Sequence, residues 1–150
     1  MPTFARSARR FIALAFALFT CSTHALDFRC VRAPGAVLFD APSASAGKLF
    51  ILGPGYPVEV VVSVEGWFKV RDATGAMAWI PVDRVSEDRN VIISVARASI
   101  RKDPTEGAQL AFEAEQGVML KVLDATPGWL KVQHRDGVSG YVRTSQVWGK

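Results

Sequence analysis

The chain has 150 residues, 49% of them hydrophobic, and a formal charge of +4 from 18 basic and 14 acidic residues. That length allows one ordinary domain or two small ones. Arg6, Arg9 and Arg10 all lie in a leader, and without them the balance falls to 15 basic against 14 acidic residues, +1; no basic cluster then remains to neutralise a phosphate backbone, which excludes a nucleic-acid partner.

The leader is the first element. Its three arginines precede the apolar run "FIALAFALF", and Thr23 and Ala25 place small residues before a cleavage point. This is the layout of a secretory signal peptide, cleaved after Ala25. Nine apolar residues are too few to span a hydrocarbon core, which takes roughly 20. Lipidation at Cys21 is the competing reading, but Thr20 suits the position before a lipidated Cys poorly and Phe19 is bulky. The expected product is periplasmic or secreted, with no membrane span after cleavage. Cys30 is then the one remaining cysteine, so no disulfide forms within the chain. It is either a small buried residue or a link to a second chain.

Short strands follow, bounded by turn residues and without helical periodicity. "AVLF" leads into the turn-rich "DAPSASAG". Then come the β-branched run "YPVEVVVSV", the strand "WFKVR", the turn "ATGA" and the strand "MAWI". "SEDRN", residues 86–90, is a polar join. Beyond it the order recurs as "SI", "VMLKVL", "WLKVQH", the turn "RDG" and "SGYV". "AEQG" hints at a helical turn inside a strand context. Asp136-Gly137 is a hairpin signal of type I′, which needs positive φ at both central positions.

The recurrence is a gapless internal repeat. "GWFKVRDATG" begins at Gly66 and "GWLKVQHRDG" at Gly128, 62 positions later. At the same offset Pro42 meets Pro104, Phe50 meets Phe112, Gly55 meets Gly117, Trp79 meets Tyr141 and Val85 meets Val147. The chain therefore divides into a leader (1–25), a first copy (26–87) and a second copy (88–150), with five short strands expected in each. A unit of about 60 residues buries only about 60% of its unfolded surface. The two copies are thus expected to share an interface.

Strand alternation sorts the repeated phrase into two faces. Phe68 with Val70, and Leu130 with Val132, point to the core. Trp67 with Lys69, and Trp129 with Lys131, point away. A lysine is not buried unpaired, so each Trp is expected to be partly exposed or packed against something outside its own copy. Trp79 and Tyr141 are expected at the core or its rim, and Trp148 seals the last strand. The candidate ligand-binding set is Trp67, Lys69, Trp129, Lys131 and Tyr141, because a tryptophan presents a large apolar area at little entropic cost.

No catalytic set accompanies these residues. After the leader, Cys30 and His134 are the only Cys and His, and neither has an orienting motif. They are too few for a structural zinc site. Asp72, Asp83, Asp88, Asp103 and Asp136 match no calcium-loop spacing. No Gly-rich phosphate loop is present. Neither a cofactor nor a metal is expected, and the chain is expected not to be an enzyme.

The phrases "GWFKVRDATGAMAWIPVDRV" and "GWLKVQHRDGVSGYVRTSQVWG" resemble the bacterial SH3-like (SH3b) domain. "DFRCVRAPGAVLFDAPSASAGKLF" and "GYPVEV" extend the likeness over residues 27–149, which looks like a tandem SH3-like protein exported by proteobacteria. The resemblance implies an all-β chain of two five-stranded SH3-like barrels that bind without catalysis. Its relatives often attach wall hydrolases to peptidoglycan. The partner it implies is peptidoglycan or a cell-envelope component, the alternative being a protein–protein adaptor for an envelope partner. The first copy departs from the pattern at Ala78, where the second has Gly140, and at Pro81. "VLFDAPS" is similar to the acidic aromatic loop of eukaryotic SH3 domains, but the loop after it lacks acids, so a groove for basic proline-rich peptides is not implied.

Overall fold

The computed structural model describes residues 25–150. The signal-peptide and Cys21 readings fall outside them. Among the described residues there is no α-helix, and no helix is long and apolar enough to cross a membrane.

The chain is all-β and folds as two seven-stranded antiparallel sheets. The first contains β1 (Asp27–Val31), β2 (Ala36–Phe39), β3 (Lys48–Leu52), β4 (Pro57–Val64), β5 (Trp67–Arg71), β6 (Met77–Pro81) and β7 (Val85–Ser86). The second contains β8 (Asn90–Ile93), β9 (Arg97–Arg101), β10 (Leu110–Glu115), β11 (Met119–Thr126), β12 (Trp129–Gln133), β13 (Ser139–Arg143) and β14 (Val147–Trp148). Strand order is β3-β2-β6-β5-β4-β1-β7, repeated as β10-β9-β13-β12-β11-β8-β14. Seven strands stand where five were expected. The loop after "AVLF" returns as β3, and a single 3-10 turn (Val82–Arg84) sets Val85 and Ser86 against β1. At "AEQG" strand β10 runs through Glu115 before turning.

Each sheet packs its own apolar cluster, and the clusters are repeats of each other. Val31, Leu38, Val58, Val70, Ile80 and Val85 fill the first; Ile93, Ile100, Leu120, Val132, Val142 and Val147 fill the second at the same offset. Leu130 is buried and Phe68 packs half-buried on its cluster, as alternation requires. The second copy needs Gly140 for space. A Cβ there would lie 2.6 Å from Ile100 Cγ2 and 2.7 Å from the Arg101 carbonyl oxygen. In the first copy Leu38 replaces that β-branched neighbour, and Ala78 fits, fully buried.

The Asp136-Gly137 turn is not of type I′. Only Gly137 has positive φ, and its N–H donates to the His134 carbonyl at 2.9 Å. This is a turn with ordinary central residues closed by one left-handed glycine, another common hairpin connection. The "ATGA" turn is built the same way around Gly75.

The copies meet around β1 and the loop before β4 on one side and β8 and β14 on the other. Phe28 of β1 packs edge-on against Trp148 of β14, ring centroids 5.1 Å apart. Asn90 Nδ2 donates to the Gly55 carbonyl at 2.7 Å. Trp148 thus seals the junction between copies as well as the last strand.

Candidate functional site

A bulge in β4 places Val61 out of register and one in β11 does the same to Leu123. Each bulge shifts the alternation, so the outer half of the strand presents Val62 and Val64, or Asp124 and Thr126, on the side away from the core. Two cross-strand rows result in each copy. In the first copy one row runs Val62, Lys69, Trp79, Phe39 across β4, β5, β6 and β2, and the second runs Val64, Trp67, Pro81. In the second copy the rows are Asp124, Lys131, Tyr141, Arg101 and Thr126, Trp129, Arg143.

The first-copy face is apolar with one cation. Phe39 packs edge-on against Trp67, ring centroids 5.4 Å apart and planes perpendicular. Lys69 Nζ lies 5.9 Å from the Trp79 ring centre. Trp67 and Trp79 are half-buried, while Val62 and Val64 remain 42% and 41% exposed. The face offers stacking area and a point charge. It holds no second titratable side chain with which to move a proton.

The second-copy face carries charge instead. The Arg143 guanidinium lies over the Trp129 ring, 4.5 Å from its centre, and pairs with Glu106. Arg101 turns away to donate to the Ala108 carbonyl at 2.8 Å. Lys131 Nζ sits 6.0 Å from the Tyr141 ring centre.

Sequence reasoning placed Trp67 with Lys69, and Trp129 with Lys131, on the outward side of one strand each; in the structure each lysine instead meets an aromatic ring of the neighbouring strand, Lys69 at Trp79 and Lys131 at Tyr141. Trp129 is corrected. It is neither partly exposed nor packed outside its own copy: it is 6% exposed beneath Arg143 of the neighbouring strand. A lysine two residues away does not keep a tryptophan exposed when a guanidinium roofs it. Trp79 belongs to the outward face rather than to the core cluster. Phe39, Val62, Val64 and Pro81 were missed, because the bulge that aligns Val62 and Val64 with Trp67 leaves no mark in a run of valines.

The remaining chemistry-bearing residues are placed as follows. Cys30 is 2% exposed, and burial pushes its thiol pKa up, the opposite of what a nucleophile needs. His134 Nδ1 lies 3.0 Å from Asp136 on the β12–β13 hairpin. Among the described residues no three His, Cys, Asp or Glu side chains gather as metal ligands.

The family model described as bacterial SH3 domain matches residues 32–87 and again residues 94–149. The chain belongs to the bacterial SH3 domain family. Its tandem architecture is that of two such domains. Comparison with curated proteins finds no match. Among solved structures the chain is similar to NlpC2 from Trichomonas vaginalis, at 18% identity and a TM-score of 0.39, over 86% of this chain and 50% of that one. NlpC1 from the same organism gives 19% and 0.38, over 92% and 51%. An NlpC/P60 family protein from Bacillus cereus gives 14% and 0.37, over 81% and 56%. The chain spans about half the length of these proteins.

Proposed function

We propose that this tandem SH3 protein is an exported, non-catalytic binding protein of the cell envelope. It holds peptidoglycan, or a component attached to it, on the outward face of the first domain. One observation carries the reading: Phe39 packs on Trp67 and pairs in register with Trp79, beside exposed Val62 and Val64, and the second domain places charged or polar groups at most matching positions. Aromatic side chains in such a patch dominate binding energy because they bury large area at small entropic cost. Membership of the bacterial SH3 domain family and the export-type leader support an envelope location.

The test is co-sedimentation of residues 26–150 with intact peptidoglycan sacculi at physiological salt. Saturable binding is expected, and Trp67→Ala with Trp79→Ala removes it while the melting transition stays cooperative. Unchanged retention by the double variant removes the aromatic face from the reading.

A protein partner is the second reading, favoured by the edge strand β3. Leu49 and Ile51 there are 49% and 73% exposed. The matching edge β10 is guarded by Glu113 and Glu115, both paired with Arg97. Beyond Lys48, the β3 edge presents apolar residues, and such an edge accepts an added strand. A single stoichiometric protein crosslinked in wall-free periplasm, and lost with Ile51→Lys, would favour this adaptor.

A further inference from the structure

The junction between the domains holds a groove of about 570 Å³, lined by none of the residues of the aromatic face. Pro54 and Gly55 of the first domain form one wall. Met119 and Lys121 of β11, with Arg135 on the β12–β13 hairpin, form the other. This volume is within the range of small-molecule sites. The Asn90–Gly55 hydrogen bond fixes the two walls to each other.

The polar groups along the groove are engaged, with two exceptions. Asn90 donates to Gly55, Gln133 Nε2 donates to the Gly137 carbonyl at 3.1 Å, and His134 Nδ1 is held by Asp136. Lys121 and Arg135 make neither a side-chain hydrogen bond nor an ion pair within the described residues. No acidic side chain lines the groove. The neighbouring groove at the same junction, around Asp27 and Arg29, differs. There Arg29 pairs with Asp27 at 2.9 Å and with Glu87 at 2.8 Å, so its charges are used internally.

We propose that the Lys121–Arg135 groove is a second binding site, and that its ligand is a short peptide ending in a free carboxylate. The guanidinium fork of Arg135 matches a planar carboxylate in two parallel hydrogen bonds, and Lys121 adds a point charge. Met119, 38% exposed, and Pro54 provide an apolar wall for the small side chains behind that carboxylate. A bare anion would leave this wall uncovered. The site depends on both domains, so it exists only in the tandem chain.

The test uses the full chain, purified after expression with its own leader, and follows amide chemical shifts during titration. The probe is acetyl-alanyl-alanine. The controls are its C-terminal amide and inorganic phosphate. Saturable shifts at Met119, Lys121 and Arg135 are expected with the acid. The amide should bind about tenfold more weakly, because it loses the charge-assisted hydrogen bonds. Phosphate should bind more weakly than the acid. Lys121→Gln with Arg135→Gln, both at exposed positions, should keep the melting temperature and abolish the shifts. Four outcomes would each overturn the proposal: no saturation by the acid, equal binding of acid and amide, tighter binding of phosphate, or binding retained by the double variant. Sacculus retention of the same double variant reads the aromatic face independently, so failure of one site leaves the other standing.

Discussion

The two domains share a core and differ on the face turned away from it. Val70 matches Val132, Val58 matches Leu120 and Val85 matches Val147, all buried. Outside, Val62 becomes Asp124, Val64 becomes Thr126, Phe39 becomes Arg101 and Pro81 becomes Arg143. Core positions are constrained by packing density, so an apolar residue of similar size must stand at each. The outward positions carry no such constraint, and there the copies have diverged in chemistry. The same tryptophan has therefore become two different objects: Trp67 is a half-buried ring packed on Phe39, and Trp129 is a buried residue under a guanidinium.

The widest separation between the copies should appear when each tryptophan is truncated. Trp129→Ala removes a buried ring and leaves Arg143 without its platform, and should cost about 3–5 kcal/mol of stability. Trp67→Ala should cost less, because that ring is half-buried, while weakening sacculus binding. Chemical denaturation alongside co-sedimentation checks both. Equal stability losses would mean that the two rings do the same structural job.

Next in size is the contrast between Gly140 and Ala78. Gly140→Ala drives a Cβ into Ile100 Cγ2 and the Arg101 carbonyl. Overpacking of this kind costs about 1–3 kcal/mol. Adding Ile100→Leu, which recreates the first-domain pair, should restore only part of the loss, because the backbone carbonyl remains. Ala78→Gly should cost about 0.5–1 kcal/mol through strand entropy. Thermal melts of the three variants rank these effects.

The first-domain face can be rewritten as the second. Pro81 and Arg143 share a backbone conformation, φ −62 and ψ 140 against φ −65 and ψ 136, so Pro81→Arg fits without strain. Combined with Val62→Asp, it gives the first domain two charges of the second. Sacculus binding should fall about tenfold, the loss of one good contact's worth of affinity, with little change in stability. Unchanged binding would place the ligand elsewhere.

Much of this was legible in the sequence. The 62-residue offset predicted two domains with one core pattern, and alternation through "WFKVR" and "WLKVQ" assigned Val70 and Val132 inward. The β3 and β10 strands were hidden, because the turn-rich loop before them masks a hairpin whose return strand carries no strong alternation. The outward face was half legible. Its tryptophans and lysines follow from period two, but Val62 and Val64 join them only through the bulge at Val61, and a bulge in "VEVVVSV" is invisible when every candidate register is apolar. The roofing of Trp129 was beyond reach for a different reason: Arg143 arrives from another strand, and cross-strand register is a property of the folded sheet.

The last contrast, and for Asp136 the smallest effect, lies in the two hairpins. Asp72 in the first domain is buried, and its Oδ1 accepts from the Thr74 N–H at 2.8 Å, the Thr74 hydroxyl at 2.6 Å and the Ala76 N–H at 3.0 Å. At the matching position the second domain has His134, and the capping task passes to exposed Asp136, which accepts from the Val138 N–H at 3.0 Å. That hydrogen bond, with the His134 imidazole, holds the Asp136 carboxyl below the usual carboxylate range. A depressed folded pKa stabilises the hairpin above the unfolded value of about 3.9 and loses that contribution as pH falls through the folded value. Titration of the Asp136 carboxyl by NMR should therefore give a midpoint below 3.9. His134→Ala should raise that midpoint partway, because the Val138 bond remains. Asp136→Ala should leave the melting temperature nearly unchanged, whereas Asp72→Ala removes three hydrogen bonds to a buried carboxylate and should cost about 1–3 kcal/mol. If the two aspartates cost the same, burial of Asp72 contributes nothing, and the contrast between the hairpins disappears.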